Sequence, residues 1–236
     1  KGYVVGKDKR SRTALKMFGT ITGRTNPSTT KNPFGAPRRM RNIIGTTKDK
    51  IIVYADWKSQ EAVIQGALSN DPNIKKGVAT GDIYLSTAKL AKAVPESGIR
   101  KDYGPERNLY KQTYLAIGYG QTEFGLKIKL NISTAEAAYL LSILKRVYPT
   151  YFKWIDEHMK YCVARGYFET KFGWRFYVSD TESVNPRSLM NWPLQGHGSE
   201  ILRRAIIDLD KAGYEISMPV HEAVLIHMDK KGCAEK

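Results

Sequence analysis

The sequence has few cysteines, histidines and acidic residues, and it contains no long apolar run. Its two cysteines, Cys162 and Cys233, match no metal-ligand spacing, so we expect reduced thiols in an intracellular, cytoplasmic protein. Four scattered histidines offer no cluster for zinc. No apolar run approaches the roughly 18 residues that span a bilayer, and no signal-peptide pattern opens the chain. We therefore expect no membrane partner.

Basic residues dominate the charge. Lysine and arginine number 38 against 23 acidic residues, which gives a formal net charge of +15. Fourteen tyrosines and four tryptophans are interleaved with these cations. This composition favours a polyanionic partner such as nucleic acid, with aromatic rings available for stacking. A basic surface that serves only solubility, or one that meets anionic lipid, remains the alternative.

The 236 residues allow one large domain or two intimate subdomains. Apolar periodicity and capping residues predict the following elements in chain order: strand 51–55, helices 59–69, 82–92, 105–117, 133–147 and 150–165, strands 167–170 and 175–178, helix 195–212 and hairpin 216–228. A few strands are thus split by a largely helical insertion. This order predicts an α+β fold rather than a doubly wound sheet.

One predicted helix carries two cations and an apolar surface on the same face. Arg107, Lys111, Leu115 and Gly118 follow one another at intervals of three or four residues. Arginine and lysine are suited to phosphate, and the apolar end is suited to a nucleobase. The segment therefore indicates a site for a nucleoside triphosphate. An ordinary amphipathic helix with a solvated basic edge is the alternative.

Two acidic residues are predicted to leave strands that are distant in sequence. Asp56 directly follows the apolar strand, and Glu222 lies in the turn of the last hairpin. Two such carboxylates are suitable ligands for a pair of Mg²⁺ ions that assist an in-line displacement at phosphorus. Taken singly, Asp56 is also interpretable as a strand-end cap and Glu222 as a solvated turn residue.

Five short motifs, taken together, resemble the signatures of family A DNA polymerases and occur in the same order. The segment Asp56-Trp-Lys-Ser-Gln-Glu61-Ala resembles the first signature, Arg107-x3-Lys111-x7-Tyr119-Gly120 the second and Val220-His221-Glu222 the third. Thr20-Ile-Thr-Gly23-Arg24 is similar to the template-primer loop of the family, and Asn191-Trp-Pro-Leu-Gln195-Gly196 to the start of its minor-groove helix. The resemblance covers residues 20–228.

The resemblance implies a right-hand polymerase fold, with a palm of antiparallel sheet and helices and a helical fingers insertion. Residues 1–70 and 167–236 would form the palm, and residues 71–166 the fingers. It implies template-directed DNA synthesis from dNTPs on primer-template DNA, with two Mg²⁺ ions that Mn²⁺ is able to replace. A bacterial or phage source is expected, and the thumb and any exonuclease would lie on other parts of the protein.

The resemblance also implies roles for individual residues. Asp56, Glu222 and the backbone carbonyl of Trp57 would hold the metal ions, while Arg107 and Lys111 would bind the triphosphate and assist catalysis. The remaining nucleotide-binding residues would be Trp57, Ser59, Glu61, Tyr84, Leu115 and Tyr119. Glu61 would act as the steric gate against the 2′-hydroxyl, and the hydroxyl of Tyr84 would bond a phosphate oxygen. DNA contacts would come from Arg24, Arg187, Asn191, Gln195 and His221.

Three departures from the family pattern bear on activity. The third signature usually reads His-Asp-Glu or His-Asp-Ser, whereas this chain has His221-Glu222-Ala223. Leu115 replaces a more usual aromatic residue, and Tyr84 a frequent histidine.

Two other functions stay open. A single-subunit RNA polymerase shares the Arg-x3-Lys helix, although Glu61 argues against it. A non-catalytic DNA-binding relic is compatible with Glu222-Ala223.

Overall fold

A computed structural model describes residues 5–27, 32, 39, 44–178 and 186–230, with residues 186–188 described for their backbone alone. The elements in chain order are β1 (Leu15–Lys16), β2 (Asn26–Pro27), β3 (Lys50–Asp56), α1 (Gln60–Ser69), α2 (Pro72–Ala79), α3 (Ile83–Leu90), α4 (Gly104–Gly118), α5 (Glu123–Leu130), α6 (Thr134–Val147), α7 (Pro149–Arg165), β4 (Tyr167–Glu169), β5 (Arg175–Tyr177), α8 (Pro186–Lys211), β6 (Glu215–Val220) and β7 (Ala223–Asp229). Helices and antiparallel strands are both present, so the predicted α+β class is confirmed.

The chain divides into two compact units. Unit 1 consists of Lys1–Lys58 and Gln195–Lys236, and unit 2 of Ser59–Leu194. These boundaries differ from the predicted palm and fingers limits at 70/71 and 166/167. By packing, α1 and the β4–β5 hairpin belong with the helices of unit 2. The division into palm and fingers is a statement about function and stays a prediction.

Unit 1 is built on a three-stranded antiparallel sheet in the order β3-β7-β6. Strand β3 contains an apolar β-branched run at residues 51–53, after Lys50, and β6 and β7 form the predicted hairpin. The C-terminal part of α8 supplies Leu202, Ile206 and Leu209 to a core with Val224 and Ile226 of β7. This packing fixes β7, the central strand, and thereby the turn that precedes it.

Unit 2 is mainly helical. A core of buried side chains joins helices α1–α7, and a second cluster around Trp192 joins α7, the β4–β5 hairpin and the start of α8. Ser133 and Glu136 form the predicted capping box at the start of α6, and Gly166 ends α7 in the left-handed region at φ 79°. The local signals at these helix ends were sufficient to place them.

The last long helix was predicted too short. The sequence placed its start at Gln195, whereas α8 begins at Pro186 and contains Pro193. A proline inside a helix removes one backbone hydrogen bond, which is why the sequence favoured a start beyond it. Burial of Trp192 and Leu194 on either side of Pro193 offsets that loss.

Two predictions concern the cysteines and the membrane. Cys162 is a buried, free thiol, as expected, and Cys233 lies outside the described residues. Within the part of the chain that the structure describes, no helix is long and apolar enough to cross a bilayer.

Candidate active site

The two predicted metal ligands come together at one end of the unit 1 sheet. Asp56, the last residue of β3, pairs with Ala223, the first residue of β7. Glu222 precedes Ala223 in the turn, so the α-carbons of Asp56 and Glu222 lie roughly 6–7 Å apart by strand geometry. Asp56 and Trp57 are both exposed. The sheet register therefore shows that these two acidic residues, distant in sequence, are neighbours along the backbone.

Glu222 already has a cationic partner. The Arg24 guanidinium donates a hydrogen bond from Nη2 to Glu222 Oε1 at 2.6 Å, and the two side chains are 19% and 32% exposed. The preceding residue, His221, adopts a left-handed backbone with φ 56° and is exposed. The turn thus points a carboxylate toward a predicted DNA-binding arginine, a pairing that sequence analysis did not anticipate.

The predicted template-primer loop, residues 20–24, is anchored to α8. Thr22 Oγ1 donates to Gln195 Oε1 at 3.3 Å, and Ser199 donates to the Thr22 carbonyl at 2.8 Å. Arg203 donates to a loop carbonyl at 2.7 Å. Two predicted DNA-binding elements are therefore adjacent within unit 1. Ser199 and Arg203 were not identified from the sequence, because their role here is to bond backbone carbonyls far along the chain.

In unit 2, the two cations of α4 lie over one aromatic ring. The Arg107 guanidinium carbon is 5.3 Å from the centre of the Tyr84 ring, and Lys111 Nζ is 5.7 Å from the same point. Arg107 Nε also donates to Asp82 Oδ2 at 2.6 Å. Asp82 is the N-cap of α3, where its Oδ1 accepts from the Leu85 amide at 3.2 Å. The predicted shared face of Arg107 and Lys111 is confirmed, and Asp82 is a partner that the sequence did not reveal.

The ionisation of this group is set by burial and by Arg107. Burial alone would raise the pKa of Asp82, but hydrogen bonds from Arg107 and Leu85 and the Arg107 charge lower it below its ordinary value. Burial is also the main reason that the pKa of Tyr84 is raised, with the Glu61 carboxylate adding to it. Asp82 is therefore ionised and the Tyr84 phenol neutral at physiological pH.

The predicted steric gate contacts the end of α4. Tyr119, which follows α4, donates from its hydroxyl to Glu61 Oε1 at 2.9 Å. Leu115, one turn earlier, is half-buried. Ser59 is the N-cap residue of α1 with φ 53°, and its side chain makes no capping hydrogen bond. Glu61 of α1 thus contacts the residue that ends α4, while nucleotide contacts by Ser59 and Leu115 stay predictions.

A buried polar group holds α4 against its neighbours. The Tyr114 hydroxyl donates to Gln65 Oε1, and Gln65 Nε2 donates to the Tyr151 hydroxyl at 3.5 Å. A Cβ atom at Gly118 would lie 3.2 Å from Gln65 Nε2, so a larger residue there would require the Gln65 side chain to shift by a few tenths of an ångström. These buried side chains carry no motif signal, which is why sequence analysis missed them.

The remaining predicted DNA contacts are less defined. Asn191 is only 6% exposed, and its Oδ1 finds no hydrogen-bond partner among the described residues. The backbone of Arg187 lies in α8, and its side chain is outside the described residues. DNA contacts by Asn191, Arg187 and His221 stay predictions.

The chemistry of the sheet end suits Mg²⁺. Asp56 and Glu222 offer hard carboxylate oxygens, and the exposed Trp57 segment offers a carbonyl. Across residues 5–27, 32, 39, 44–178 and 186–230, no group of three or more His, Cys, Asp or Glu residues could hold a metal ion. Mg²⁺ does not require a site made of protein ligands alone, because the ion keeps several water ligands and also coordinates substrate phosphates. The residues present therefore fit an ion that is completed by substrate.

Comparison with known proteins agrees with this geometry. The family model for DNA polymerase family A matches residues 2–235. The chain belongs to this family. DNA polymerase I of Rhizobium leguminosarum is 27% identical over 241 residues, which is 96% of this chain and 23% of that protein. The Streptococcus pneumoniae R6 enzyme is 30% identical over 263 residues, 99% of this chain and 29% of that protein.

The fold matches as well. The POL domain of Pol1 from M. smegmatis, solved in complex with DNA primer-template and dNTP, superposes with a TM-score of 0.85 at 23% identity, covering 98% of this chain and 44% of that one. The chain therefore has the fold of a family A polymerase domain. It spans about a quarter of the length of the bacterial relatives that it matches.

Proposed function

We propose that this chain catalyses template-directed DNA synthesis, transferring a nucleotidyl group from a dNTP to a primer 3′-hydroxyl with release of pyrophosphate. The observation that carries the proposal is the β3–β7 register, which makes Asp56 and Glu222 neighbours in a chain of DNA polymerase family A. Residues 1–70 and 167–236 would act as the palm, and residues 71–166 as the fingers.

Two divalent ions, Mg²⁺ or Mn²⁺, would be held by Asp56, Glu222 and the Trp57 carbonyl. The chemistry that such ions supply is activation of the attacking hydroxyl and neutralisation of the leaving oxygen. Two acidic residues on adjacent strand ends support this assignment, since two-metal sites hold their ions about 3.5–4 Å apart between shared carboxylates.

The side chains of α4 would handle the triphosphate. Arg107 and Lys111 would bind the phosphate oxygens and neutralise the charge that develops on the pyrophosphate. Lys111 would also donate a proton to the pyrophosphate. Their position on one face supports this role, since both approach the same ring. Leu115 and Tyr119 would pack against the incoming sugar and base.

Glu61 would exclude ribonucleotides. Its carboxylate is held by the Tyr119 hydroxyl, so it is positioned beside the residue expected to stack on the nucleotide. A carboxylate at the floor of the pocket leaves no room for a 2′-hydroxyl. This arrangement favours a DNA polymerase over the RNA polymerase alternative.

Primer-template DNA would contact the loop 20–24 and α8, through Arg24, Arg187, Asn191, Gln195 and His221. The hydrogen bonds that join the loop to Gln195 and Ser199 support a shared surface. Minor-groove acceptors are common to all base pairs, so such contacts would test pair geometry without reading sequence.

Primer extension by the full chain tests the proposal. The variant Asp56→Ala should lose extension, whereas Asp49→Ala, an exposed carboxylate that precedes the opposite end of β3, should not. Extension at the wild-type rate by Asp56→Ala would rule the proposal out.

The Glu222–Arg24 ion pair favours a second candidate, a DNA-binding protein without catalysis, because it occupies one of the two metal ligands. Binding of primer-template without any Mg²⁺-dependent extension by the wild-type chain would support it, as would recovery of extension in Glu222→Asp.

A further inference from the structure

The ring of Tyr84 lies beneath both triphosphate-binding candidates. Arg107 and Lys111 are one helical turn apart on α4, and like charges at this spacing repel each other. Both nevertheless approach the same ring centre, at 5.3 and 5.7 Å. The negative face of an aromatic ring attracts cations within about 6 Å. The ring is thus placed to offset the repulsion and to hold both cations close to it.

The ring is itself fixed in place. Tyr84 packs edge-on against Tyr114, with ring centres 5.9 Å apart and planes at 76°. Tyr114 is buried and donates a hydrogen bond to Gln65. The Tyr84 ring therefore packs against a side chain that has little freedom to change its conformation. A fixed platform is more useful than a mobile one, because less side-chain freedom remains to be lost when a ligand arrives.

Arg107 is held at a second point. Its Nε is engaged by Asp82, whose other oxygen is fixed by the Leu85 amide. That contact uses the Nε–H donor, and the guanidinium carries four further N–H donors on its two terminal nitrogens. Asp82 therefore anchors one edge of the guanidinium, and the Tyr84 ring contacts both the guanidinium and Lys111.

We propose that Tyr84 is a positioning residue whose ring face, rather than its hydroxyl, presets Arg107 and Lys111 for the triphosphate of the nucleotide. This role rests on the proposed function for the identity of the ligand. It differs from the hydrogen bond to phosphate that the family resemblance implies for this position, because a tyrosine ring reaches the cations directly.

A series of ring-modified variants separates the face from the hydroxyl. Tyr84→Phe serves as the reference, and incorporation of 3,5-difluoro- and pentafluorophenylalanine at position 84 weakens the negative face while nearly keeping the shape. If the ring face holds the cations, KM for dNTP should rise with the number of fluorines, by about three- to tenfold at pentafluorophenylalanine. The value of kcat should change less. Equal KM values across the three proteins would overturn the proposal.

A matched series controls for packing. Tyr103 is half-buried on the same core, and no cation lies over its ring among the described contacts. The same substitutions at position 103 should produce no trend in KM. A trend as steep at position 103 as at position 84 would overturn the proposal, because it would identify a general effect of fluorination on the core.

A binding measurement without turnover separates this inference from the proposed function. Inorganic tripolyphosphate is titrated by calorimetry into the full chain without DNA. The dissociation constant should rise along the position 84 series in the same order as KM. If the wild-type chain extends no primer but this order persists, the proposed function fails and the positioning role stands. If extension is normal and the order is absent, the positioning role fails alone.

Discussion

Removal of Arg24 is expected to tighten metal binding at the sheet end. Arg24 and Glu222 form an ion pair at 2.6 Å whose side chains are 19% and 32% exposed. Fully exposed pairs contribute about 0.2–1 kcal/mol, and hydrogen bonds to charged groups about 1.5–3 kcal/mol. The partial exposure of this pair places it between these ranges, at about 1–1.5 kcal/mol. A metal ion that binds Glu222 must displace Arg24 and overcome that energy.

The variant Arg24→Met should therefore bind Mn²⁺ about five- to tenfold more tightly than the wild type. Electron paramagnetic resonance of free Mn²⁺, measured on the full chain without DNA or nucleotide, gives the dissociation constant directly. Asp56→Asn should weaken binding, which assigns the signal to this site.

Arg12→Met is the matched control for charge. Arg12 pairs with Asp8 at the same distance of 2.6 Å, is exposed and lies in unit 1. Its removal changes the net charge by the same amount without freeing a predicted ligand. An unchanged dissociation constant in Arg24→Met, or an equal tightening in Arg12→Met, would refute the competition between Arg24 and the metal ion.

The remaining predictions concern the gate and the stability of unit 2. Glu61→Ala, which loses the Tyr119 hydrogen bond, should raise kcat/KM for rATP relative to dATP by about tenfold or more, and an unchanged ratio would contradict the gate. Asp71→Ala should cost about 3 kcal/mol or more in urea unfolding, because this buried carboxylate accepts from the first turn of α2 and from the Tyr151 amide of α7. The matched variant Ser133→Ala, which removes an exposed cap, should cost only about 1 kcal/mol. Equal losses of unfolding free energy in the two variants would contradict the argument from burial.

Local sequence signals predicted the strands and helices that carry the site. Which of these elements pair with each other was not predictable, because it depends on contacts between distant parts of the chain. The strand before Asp56 and the turn containing Glu222 were visible as short apolar runs and a break between them. The sequence predicts Asp56 and Glu222 as joint metal ligands but not the pairing of Asp56 with Ala223, because periodicity within a strand does not specify its neighbour.

Two helices escaped prediction for physical reasons. At α2, the predicted helix 59–69 stops before Asn70-Asp71-Pro72, and no helix is predicted directly after it. Asn70 does end α1, but Asp71 is also the N-cap of α2 and Pro72 its first residue. At α5, apolar residues alternate with polar ones as in a strand, and only Leu126 of the helix is buried. Short helices held mainly by tertiary contacts have weak signals of their own.

The partners of the site residues were hidden for another reason. The contacts Arg24–Glu222 and Asp82–Arg107 join positions 198 and 25 residues apart. From the sequence alone, each of these four residues is also interpretable as an ordinary surface charge. Only the fold brings the members of each pair within hydrogen-bonding distance, so their coupling follows from coordinates and not from composition.

The effect of glutamate in the third signature depends on two opposing contributions of Arg24. Ala223 is fully buried opposite Asp56 and offers no ligand, so Glu222 is the one carboxylate of the turn. Its extra methylene adds a rotatable bond, and fixing that bond costs about 0.5 kcal/mol. Arg24 fixes the carboxylate before a metal arrives, which lowers this cost, but it must also leave when the metal binds. The ion pair contributes about 1–1.5 kcal/mol, which is more than the cost of fixing one rotatable bond. We therefore expect that Arg24 hinders metal binding by competing for Glu222 more than it assists metal binding by fixing the side chain. A weaker Mn²⁺ affinity in Arg24→Met would reverse that order and identify Arg24 as a support for the longer side chain.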